Sequence, residues 1–118
     1  MQITGNDNQI STSQIGIMAA NDSSINLYGH ANQIDVLQVG SSLNFDSNSS
    51  NINVDGNSNV VKVEQGTSEF SESPVSTVSE IDLSGAGNSI HVLQAGVGTN
   101  VSVIHTYGNG NTVSVKQQ

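Results

Sequence analysis

The tetrad Gly-x-x-Asn occurs five times in this chain, and in each copy a glutamine follows the asparagine after six residues. Successive copies are 23 to 29 residues apart. A repeat of this length that stays in phase indicates a stack of similar units, each in contact with its neighbours. The copies begin at Gly5, Gly29, Gly56, Gly85 and Gly108, and their glutamines are Gln14, Gln38, Gln65, Gln94 and Gln117.

Two strands in each repeat are predicted from alternating apolar residues. Between each asparagine and its glutamine, apolar or Thr residues occupy alternate positions, as in Ile34 and Val36, and this pattern predicts a strand that we call strand A. A serine lies six residues before each of the four later glycines, and alternation such as that of Ile81 and Leu83 predicts strand B between them. The four serines are Ser23, Ser50, Ser79 and Ser102.

The two connections between the strands differ in their tolerance of length. Each of these serines stands nine residues before its asparagine, whereas the connection from Gln to the next Ser contains 8, 11, 13 or 7 residues. One turn is therefore fixed and the other accepts insertions, as expected for a coil of two strands and two turns. The longest connection contains the only proline, Pro74, and predicts a loop over residues 67–78.

The pattern as a whole predicts an all-β chain. We expect one domain, residues 1–118, folded as a β-solenoid of about five two-stranded coils with in-register stacked parallel sheets. Strand A is predicted at residues 8–16, 32–40, 59–66, 88–96 and 111–117, and strand B at residues 1–5, 23–29, 50–56, 79–85 and 102–108.

The repeated polar residues are predicted to form ladders along the stack. Alternate side chains of a strand share one face, so the asparagine, the apolar pair and the glutamine of strand A point inward together. Coils stacked about 4.8 Å apart place each amide on its equivalent, where it can donate and accept along the axis. Outward residues such as Asp35 and Lys62 would meet as an exposed pair on adjacent coils. The predicted ladder asparagines are Asn8, Asn32, Asn59, Asn88 and Asn111; the five glutamines and four serines named above complete the set, and the five glycines are predicted turn residues.

Composition and charge exclude several functions. Only 3% of the residues are aromatic, which is poor material for a conventional globular core. The net charge is −8, with Lys62 and Lys116 as the only basic residues, so nucleic acid and anionic membranes are not expected as partners. Absence of Cys excludes disulfides and thiolate metal sites, and no run approaches the ~20 apolar residues of a membrane span.

The residues that could support catalysis do not converge in the predicted fold. His30 falls in the short turn, while His91 and His105 are expected to point outward from opposite strands of one coil. We therefore predict that the chain is not an enzyme and that it has no catalytic, cofactor or metal site. The Asn-x-Ser triplets at Asn21, Asn48 and Asn100 are expected by chance in so Asn- and Ser-rich a chain, and we infer no glycosylation from them.

Two binding functions compete with a structural one. An ice-binding or carbohydrate-binding solenoid needs a flat outward array of like residues, but the outward positions of strand A form no regular grid. A monomeric β-solenoid adhesin or surface-binding module stays open as the alternative, because coils with long loops could display a binding surface without polymerising.

The repeat resembles that of the curlins, whose pattern is Ser-x5-Gln-x4-Asn-x5-Gln. The resemblance covers almost the whole chain: residues 87–94, Gly-Asn-Ser-Ile-His-Val-Leu-Gln, are similar to a curlin half-repeat, and residues 110–118 stop just after the last glutamine, as curlin chains do. The first glutamine of the family pattern is replaced by Gly29, Gly56, Gly85 and Gly108, and the turn is two residues shorter. The glycine and the shorter turn are consistent with each other, because loss of a large inward side chain lets the turn close tightly and Gly tolerates the positive φ of a tight turn.

The resemblance to the curlins implies a secreted, extracellular and cell-surface-associated subunit of a functional amyloid fibre, with a structural role in the bacterial biofilm matrix and in cell adhesion. It implies a nucleator subunit and an outer-membrane secretion pore as partners, in addition to further copies of the chain. Met1 runs directly into the repeat, so we expect the sequence to represent the mature form of an exported protein.

Growth by end-to-end stacking is predicted from the two ends of the repeat. Met1 and Ile3 fit a truncated strand B, Val113 and Val115 lie in the last strand A, and neither end carries an obvious polar cap. Unpaired backbone at such ends invites head-to-tail addition and open filaments. We expect the strand near Val113 to pair with residues 1–14 of the next copy, and Val113→Pro to block elongation by removing an edge donor.

Overall fold

Residues 1–16, 19–40, 46–66 and 75–118 are described by a computed structural model, in which they form ten strands and no helix. The strands alternate between two five-stranded sheets along the chain. One sheet, here the odd-numbered sheet, contains β1 (Gln2–Thr4), β3 (Ala20–Tyr28), β5 (Ser47–Asp55), β7 (Val75–Ser84) and β9 (Gly98–Tyr107). The other, the even-numbered sheet, contains β2 (Gln9–Ile15), β4 (Gln33–Val39), β6 (Val60–Gly66), β8 (Ser89–Gln94) and β10 (Thr112–Gln117).

Every strand pairs in parallel with the equivalent strand of the next coil, and equivalent residues stand directly opposite each other. Gln38, for example, is opposite Gln65, which is in turn opposite Gln94. The prediction of an all-β solenoid with in-register parallel sheets is confirmed. Four coils are complete, whereas the first has only three residues in its odd-numbered strand.

The core lies between the two sheets and consists of the alternating apolar residues of both predicted strands. β-branched side chains suit these pleated, stacked surfaces, and they repeat from coil to coil at the same height. Ile10, Val113 and Val115, in the first and last even-numbered strands, are only partly buried against this core. The fully enclosed positions include Ile25, Leu27, Ile34, Val36, Ile52, Val54, Val61, Val63, Ile81, Leu83, Ile90 and Val92.

The short turn between the sheets requires its glycine. Gly56 has a φ of 149°, and a Cβ at this residue would lie 1.8 Å from the carbonyl oxygen of Gly85 in the next coil. Two residues further, the turn adopts a left-handed conformation in every copy, with a φ of 57° at Ser58 and 67° at Gly110. This second constraint was not predicted, although Gly occupies the position in two of the five copies.

The odd-numbered strands begin earlier than predicted. β3 starts at Ala20 and β5 at Ser47, three residues before the serine that marks the predicted strand B. The predicted loop 67–78 is wrong over its last four residues, because β7 starts at Val75; residues 67–74 lie outside the described part of the chain. The alternation continues into this segment, where Val75 is buried and its N–H donates to Asp46 Oδ1 at 2.9 Å.

Candidate assembly surfaces at the two ends of the solenoid

A continuous ladder of glutamine side chains runs through the even-numbered sheet. Gln38 Nε2 donates to Gln65 Oε1 at 3.0 Å, and Gln65 Nε2 donates to Gln94 Oε1 at the same distance. The ladder extends to both ends of the sheet: Gln14 Nε2 donates to Gln38 Oε1 at 2.8 Å, and Gln94 Nε2 donates to Gln117 Oε1 at 2.8 Å. Every donor in this ladder therefore belongs to the coil nearer the N-terminus.

The same glutamines join the two sheets. Gln65 Nε2 also donates to the carbonyl oxygen of Ser49 at 2.9 Å, which is the residue before the repeat serine of that coil. Gln94 makes the equivalent bond to Val78 at 2.9 Å and Gln117 to Val101 at 3.0 Å. Both amide hydrogens of an inner glutamine are thus used, so the buried amide carries no unmet donor.

The asparagines form a second ladder with the opposite direction. Asn59 Oδ1 accepts from the backbone N–H of Asn88 at 2.9 Å and from Asn88 Nδ2 at 3.1 Å. Asn59 Nδ2 donates forward to the carbonyl oxygen of Gly85 at 2.9 Å. Asn8, Asn32 and Asn88 repeat this arrangement in their own coils. The side-chain carbonyls of this ladder point towards the C-terminal coil, whereas those of the glutamine ladder point towards the N-terminal coil.

A third ladder, which the sequence analysis missed, follows the residue after each turn glycine. His30 N–H donates to Asn57 Oδ1 at 2.8 Å, and Ala86 N–H donates to Asn109 Oδ1 at 2.8 Å. His30 Nδ1 accepts from Asn6 N–H at 3.0 Å, so this histidine has a structural contact in the turn. The repeated Asn at this position in three copies was a signal that could have revealed it.

The repeat serines stack in register but do not form a hydrogen-bonded ladder. The hydroxyl oxygens of Ser23, Ser50 and Ser79 are buried without a partner among the described residues. A small side chain here leaves room for the glutamine amide to reach the carbonyl oxygen of the preceding residue. The serines thus take their predicted places in the structural ladder, stacked in register, and their role there is one of size.

Two residues before each serine lies another inward column, which contains Asn21, Asn48, Thr77 and Asn100. Asn48 Nδ2 donates to Asn21 Oδ1 at 2.8 Å, and Thr77 Oγ1 donates to Asn48 Oδ1 at 2.7 Å. Asn100 completes the column, but its Nδ2 is buried without a partner within the described residues. The Asn-x-Ser triplets are therefore two adjacent inward positions of one strand.

The N-terminal end surface, formed by the outer edges of β1 and β2, presents ladder atoms that every later coil uses. Within the described part of the chain, Gln14 Oε1 receives no donor, Asn8 N–H finds no acceptor and the carbonyl oxygen of Gly5 receives no side chain. The predicted end residues Met1 and Ile3 also lie here, 78% and 44% exposed.

The C-terminal end surface, formed by the outer edges of β9 and β10, presents the complementary atoms. Gln117 Nε2 has only its cross-sheet bond, and Asn111 Oδ1 receives no donor among the described residues. Asn111 Nδ2 donates back to Asn88 Oδ1 at 3.0 Å, but its second contact is the carbonyl oxygen of its own Tyr107 at 3.5 Å, where Asn88 Nδ2 binds the carbonyl oxygen of Gly108 in the next coil at 2.9 Å.

The strand geometry corrects one prediction about this surface. Ser89 N–H donates to Asn111 O, so Thr112, which stands opposite Ser89, points its N–H away from β8. N–H groups alternate in direction along a strand of a parallel sheet. Val113 N–H therefore points towards β8, and the free edge donors of β10 are those of Thr112, Ser114 and Lys116. Val113→Pro would break a bond inside the chain rather than remove an edge donor.

The outer faces of the sheets carry scattered charges. Lys62 stands directly opposite Asp35 on the adjacent coil, as predicted, but its Nζ pairs with Glu64 Oε1 at 3.0 Å. Glu64 Oε2 lies 2.9 Å from His91 Nε2. Hydrogen bonds from His91 and then Lys62 lower the pKa of Glu64 below its usual 4.5. His105 faces Asp82 at 3.7 Å.

A groove of about 390 Å³ lies on the odd-numbered sheet, lined by the column of Tyr28, Asp55, Ser84 and Tyr107 and by Asp82 in the next outward column. Among residues 1–16, 19–40, 46–66 and 75–118 no group of three or more His, Asp or Glu side chains could hold a metal ion. No helix long and apolar enough to span a membrane occurs in the same ranges. Comparison of the chain with family models, curated proteins and solved structures found no match.

Proposed function

We propose that the protein is a structural subunit of an extracellular, self-assembling amyloid fibre of the bacterial biofilm matrix, which grows by end-to-end stacking of β-solenoid subunits. Further copies of the chain are its main partner. The resemblance to the curlin repeat supports the extracellular setting, the adhesive role, and a nucleator and secretion pore as additional partners.

The complementarity of the two end surfaces carries this proposal. When a second copy stacks in register on the C-terminal end surface, Gln117 Nε2 meets Gln14 Oε1, and Asn111 Oδ1 meets the N–H and Nδ2 of Asn8. Each ladder then continues with the donor and acceptor order of the inner coils. Hydrogen bonds of this kind contribute about 0.5–1.5 kcal/mol each.

The direction of the ladders favours a head-to-tail junction. Two N-terminal end surfaces placed against each other would bring Gln14 Oε1 near a second Gln14 Oε1, an acceptor against an acceptor. The edge strands of the two copies would also run antiparallel at such a junction, unlike every strand pair within the described part of the chain. A head-to-tail interface that does not close into a ring produces an open filament.

The alternative is a monomeric β-solenoid adhesin or surface-binding module, and one observation favours it. The outer face of β9 exposes Val101, Val103 and Tyr107, which are 51%, 54% and 72% accessible, beside the groove on the odd-numbered sheet. Exposed apolar and aromatic side chains next to polar ones are typical of binding surfaces.

Cysteine pairing tests the proposed junction, because the chain contains no native Cys. Ser11 and Ser114 point outward, and the in-register junction places them side by side at about 5 Å, a Cα separation that permits a disulfide. A chain with Ser11→Cys and Ser114→Cys should give a ladder of covalent multimers on mild oxidation.

The matched control carries Ser11→Cys and Lys116→Cys, in which the second cysteine is two residues out of register. It should yield few multimers, since two residues along a strand span about 6.6 Å. The proposal of head-to-tail stacking fails if both pairs cross-link equally or if Ser11→Cys alone forms disulfide dimers as efficiently. A chain that stays monomeric by sedimentation and electron microscopy makes the surface-binding module the better reading.

A further inference from the structure

The groove on the outer face of the odd-numbered sheet has an aromatic side chain at each end. Tyr28 and Tyr107 belong to one outward column, with Asp55 and Ser84 between them, and all four residues line the groove. The two tyrosines are three coils apart, and neighbouring strands are spaced by about 4.8 Å. They are 44% and 72% exposed. The groove therefore follows the solenoid axis and has an open aromatic ring at each end.

Polar side chains lie between the two tyrosines. In the adjacent outward column Asn26 Nδ2 donates to Asn53 Oδ1 at 2.9 Å, which leaves Asn26 Oδ1 and Asn53 Nδ2 without partners among the described residues. Asp82 follows in that column, and its one charged neighbour in the same residues is His105, at 3.7 Å. Asp55 forms no ion pair within the described part of the chain. The groove thus presents amide and carboxylate groups whose hydrogen-bonding capacity the protein leaves unused.

The charge of this face selects the sign of the ligand. Asp22 and Glu80 also point outward from the odd-numbered sheet. Lys62 and Lys116, the only Lys or Arg residues of the chain, lie in β6 and β10 of the other sheet. An anionic ligand would therefore be repelled here. A ligand with ammonium groups is attracted by the carboxylates and also by the faces of the tyrosine rings.

The backbone beneath the groove argues against a peptide as the ligand. β3, β5 and β7 are paired on both sides at the positions that line the groove, so their N–H and C=O groups are in use. A peptide lying there would lose water from its own backbone groups and find few partners in exchange. A sugar suits the groove better, because its hydroxyls both donate and accept while its C–H face packs on an aromatic ring.

We propose that this groove binds an extended glycan of hexosamine units that carry free amino groups. The sugar rings pack on Tyr28 and Tyr107, the ammonium groups face Asp55 and Asp82, and the hydroxyls bond to Asn53. Each ring of an extended β-1,4-linked chain advances by about one strand spacing, so a chain of four rings reaches from one tyrosine to the other. Such a groove differs from the flat array of like residues that the other sheet lacks.

All the lining residues belong to one chain, so the inference does not rest on end-to-end stacking. Calorimetric titration of the soluble chain with the β-1,4-linked tetramer of glucosamine tests it, at a pH at which the sugar amines and the carboxylates are both charged. We expect saturable binding of one tetramer per chain. The N-acetylated tetramer keeps the rings but lacks the charges, and tetralysine has the charges but no rings. Each should bind about tenfold more weakly or less.

Tetralysine binding as tightly as the glucosamine tetramer would identify a site for basic peptides and overturn the inference. Equal binding of the N-acetylated tetramer, or no binding of the glucosamine tetramer, would also overturn it. If the chain forms no fibres but binds the tetramer, the proposed function fails and this inference stands. Fibres that form from a chain without affinity for the tetramer give the opposite result.

Outward substitutions locate the binding to the groove. Asp55→Asn and Tyr107→Ser should each weaken binding of the glucosamine tetramer by about tenfold or more. Asp22→Asn is the matched control, because it removes the same charge from the same strand face at a residue that does not line the groove. It should change the affinity by less than about twofold. Equal weakening by Asp22→Asn and Asp55→Asn would show attraction to the overall charge of the face, and the proposed site would be wrong.

Discussion

Gln65 Nε2 donates to Gln94 Oε1 at 3.0 Å while the same nitrogen donates to the carbonyl oxygen of Ser49 at 2.9 Å. One buried amide therefore joins two coils and also joins the two sheets. Loss of this amide is therefore costly, because it leaves several buried polar atoms without hydrogen-bond partners at once.

Replacement of Gln65 by Leu should destabilise the chain by about 1–3 kcal/mol, because Gln38 Nε2 loses an acceptor and Gln94 Oε1 loses a donor in the core. Gln33→Leu is the control, since Gln33 is exposed in the same sheet. Urea unfolding monitored by circular dichroism measures both. Equal destabilisation by the two changes would contradict the inward ladder.

Ser50→Ala should leave stability unchanged or raise it by up to about 1 kcal/mol, since its buried hydroxyl has no partner in the described chain and Ala keeps the small size. Ser50→Val should be destabilising by about 1–3 kcal/mol because the added methyl groups crowd the glutamine amide. The same unfolding experiment checks both variants. A substantial loss of stability in Ser50→Ala would reveal a hydrogen bond at this hydroxyl.

Ala86→Asn should stabilise the chain by about 0.5–1.5 kcal/mol by giving the N–H of Asn57 the acceptor that the third ladder lacks at this coil. Asn57→Ala should have the opposite effect: it removes the acceptor of His30 N–H and should lower stability by a similar amount. Thermal unfolding of the two variants compares them directly. A shift of the same sign in both would rule out a hydrogen-bonded turn ladder.

Ser114→Pro should slow elongation of preformed seeds by about tenfold or more, because it removes a donor from the outer edge of β10 and breaks no bond to β8. Val113→Pro should instead lower the stability of the subunit itself. Seeded growth followed by thioflavin fluorescence, with unfolding curves of the soluble chains, distinguishes the two effects. Growth of Ser114→Pro at the normal rate would argue against pairing at this edge.

Glu64 should contribute to stability in a pH-dependent way. Because His91 and Lys62 lower its pKa in the folded chain, native Glu64 holds its proton less firmly than in the unfolded chain. The contribution is present above the usual pKa of 4.5 and is lost as pH falls through the lower folded value. Unfolding free energies of the native chain and Glu64→Gln should therefore converge towards acid pH. Parallel pH profiles for the two chains would contradict the contact.

The even-numbered strands and the core followed from the sequence because they depend on strict period-two alternation and fixed spacing. The starts of the odd-numbered strands did not, since the residues before Ser23 and Ser50 are polar on both faces and resemble loop. Inward polar positions such as Asn48 become recognisable only when coils are aligned and their hydrogen bonds are known. The direction in which Val113 points its N–H depends on which neighbour each strand edge faces, and spacing alone does not encode this.

The opposed directions of the asparagine and glutamine ladders have an electrostatic consequence. The carbonyl of Asn59 points towards the C-terminal coil, and that of Gln65 points towards the N-terminal coil, so each coil contributes two amide dipoles of opposite sign along the axis. An α-helix sums its peptide dipoles as it lengthens. In this solenoid the axial dipoles of the two ladders offset each other, and an added coil brings little further charge separation between the ends of a filament.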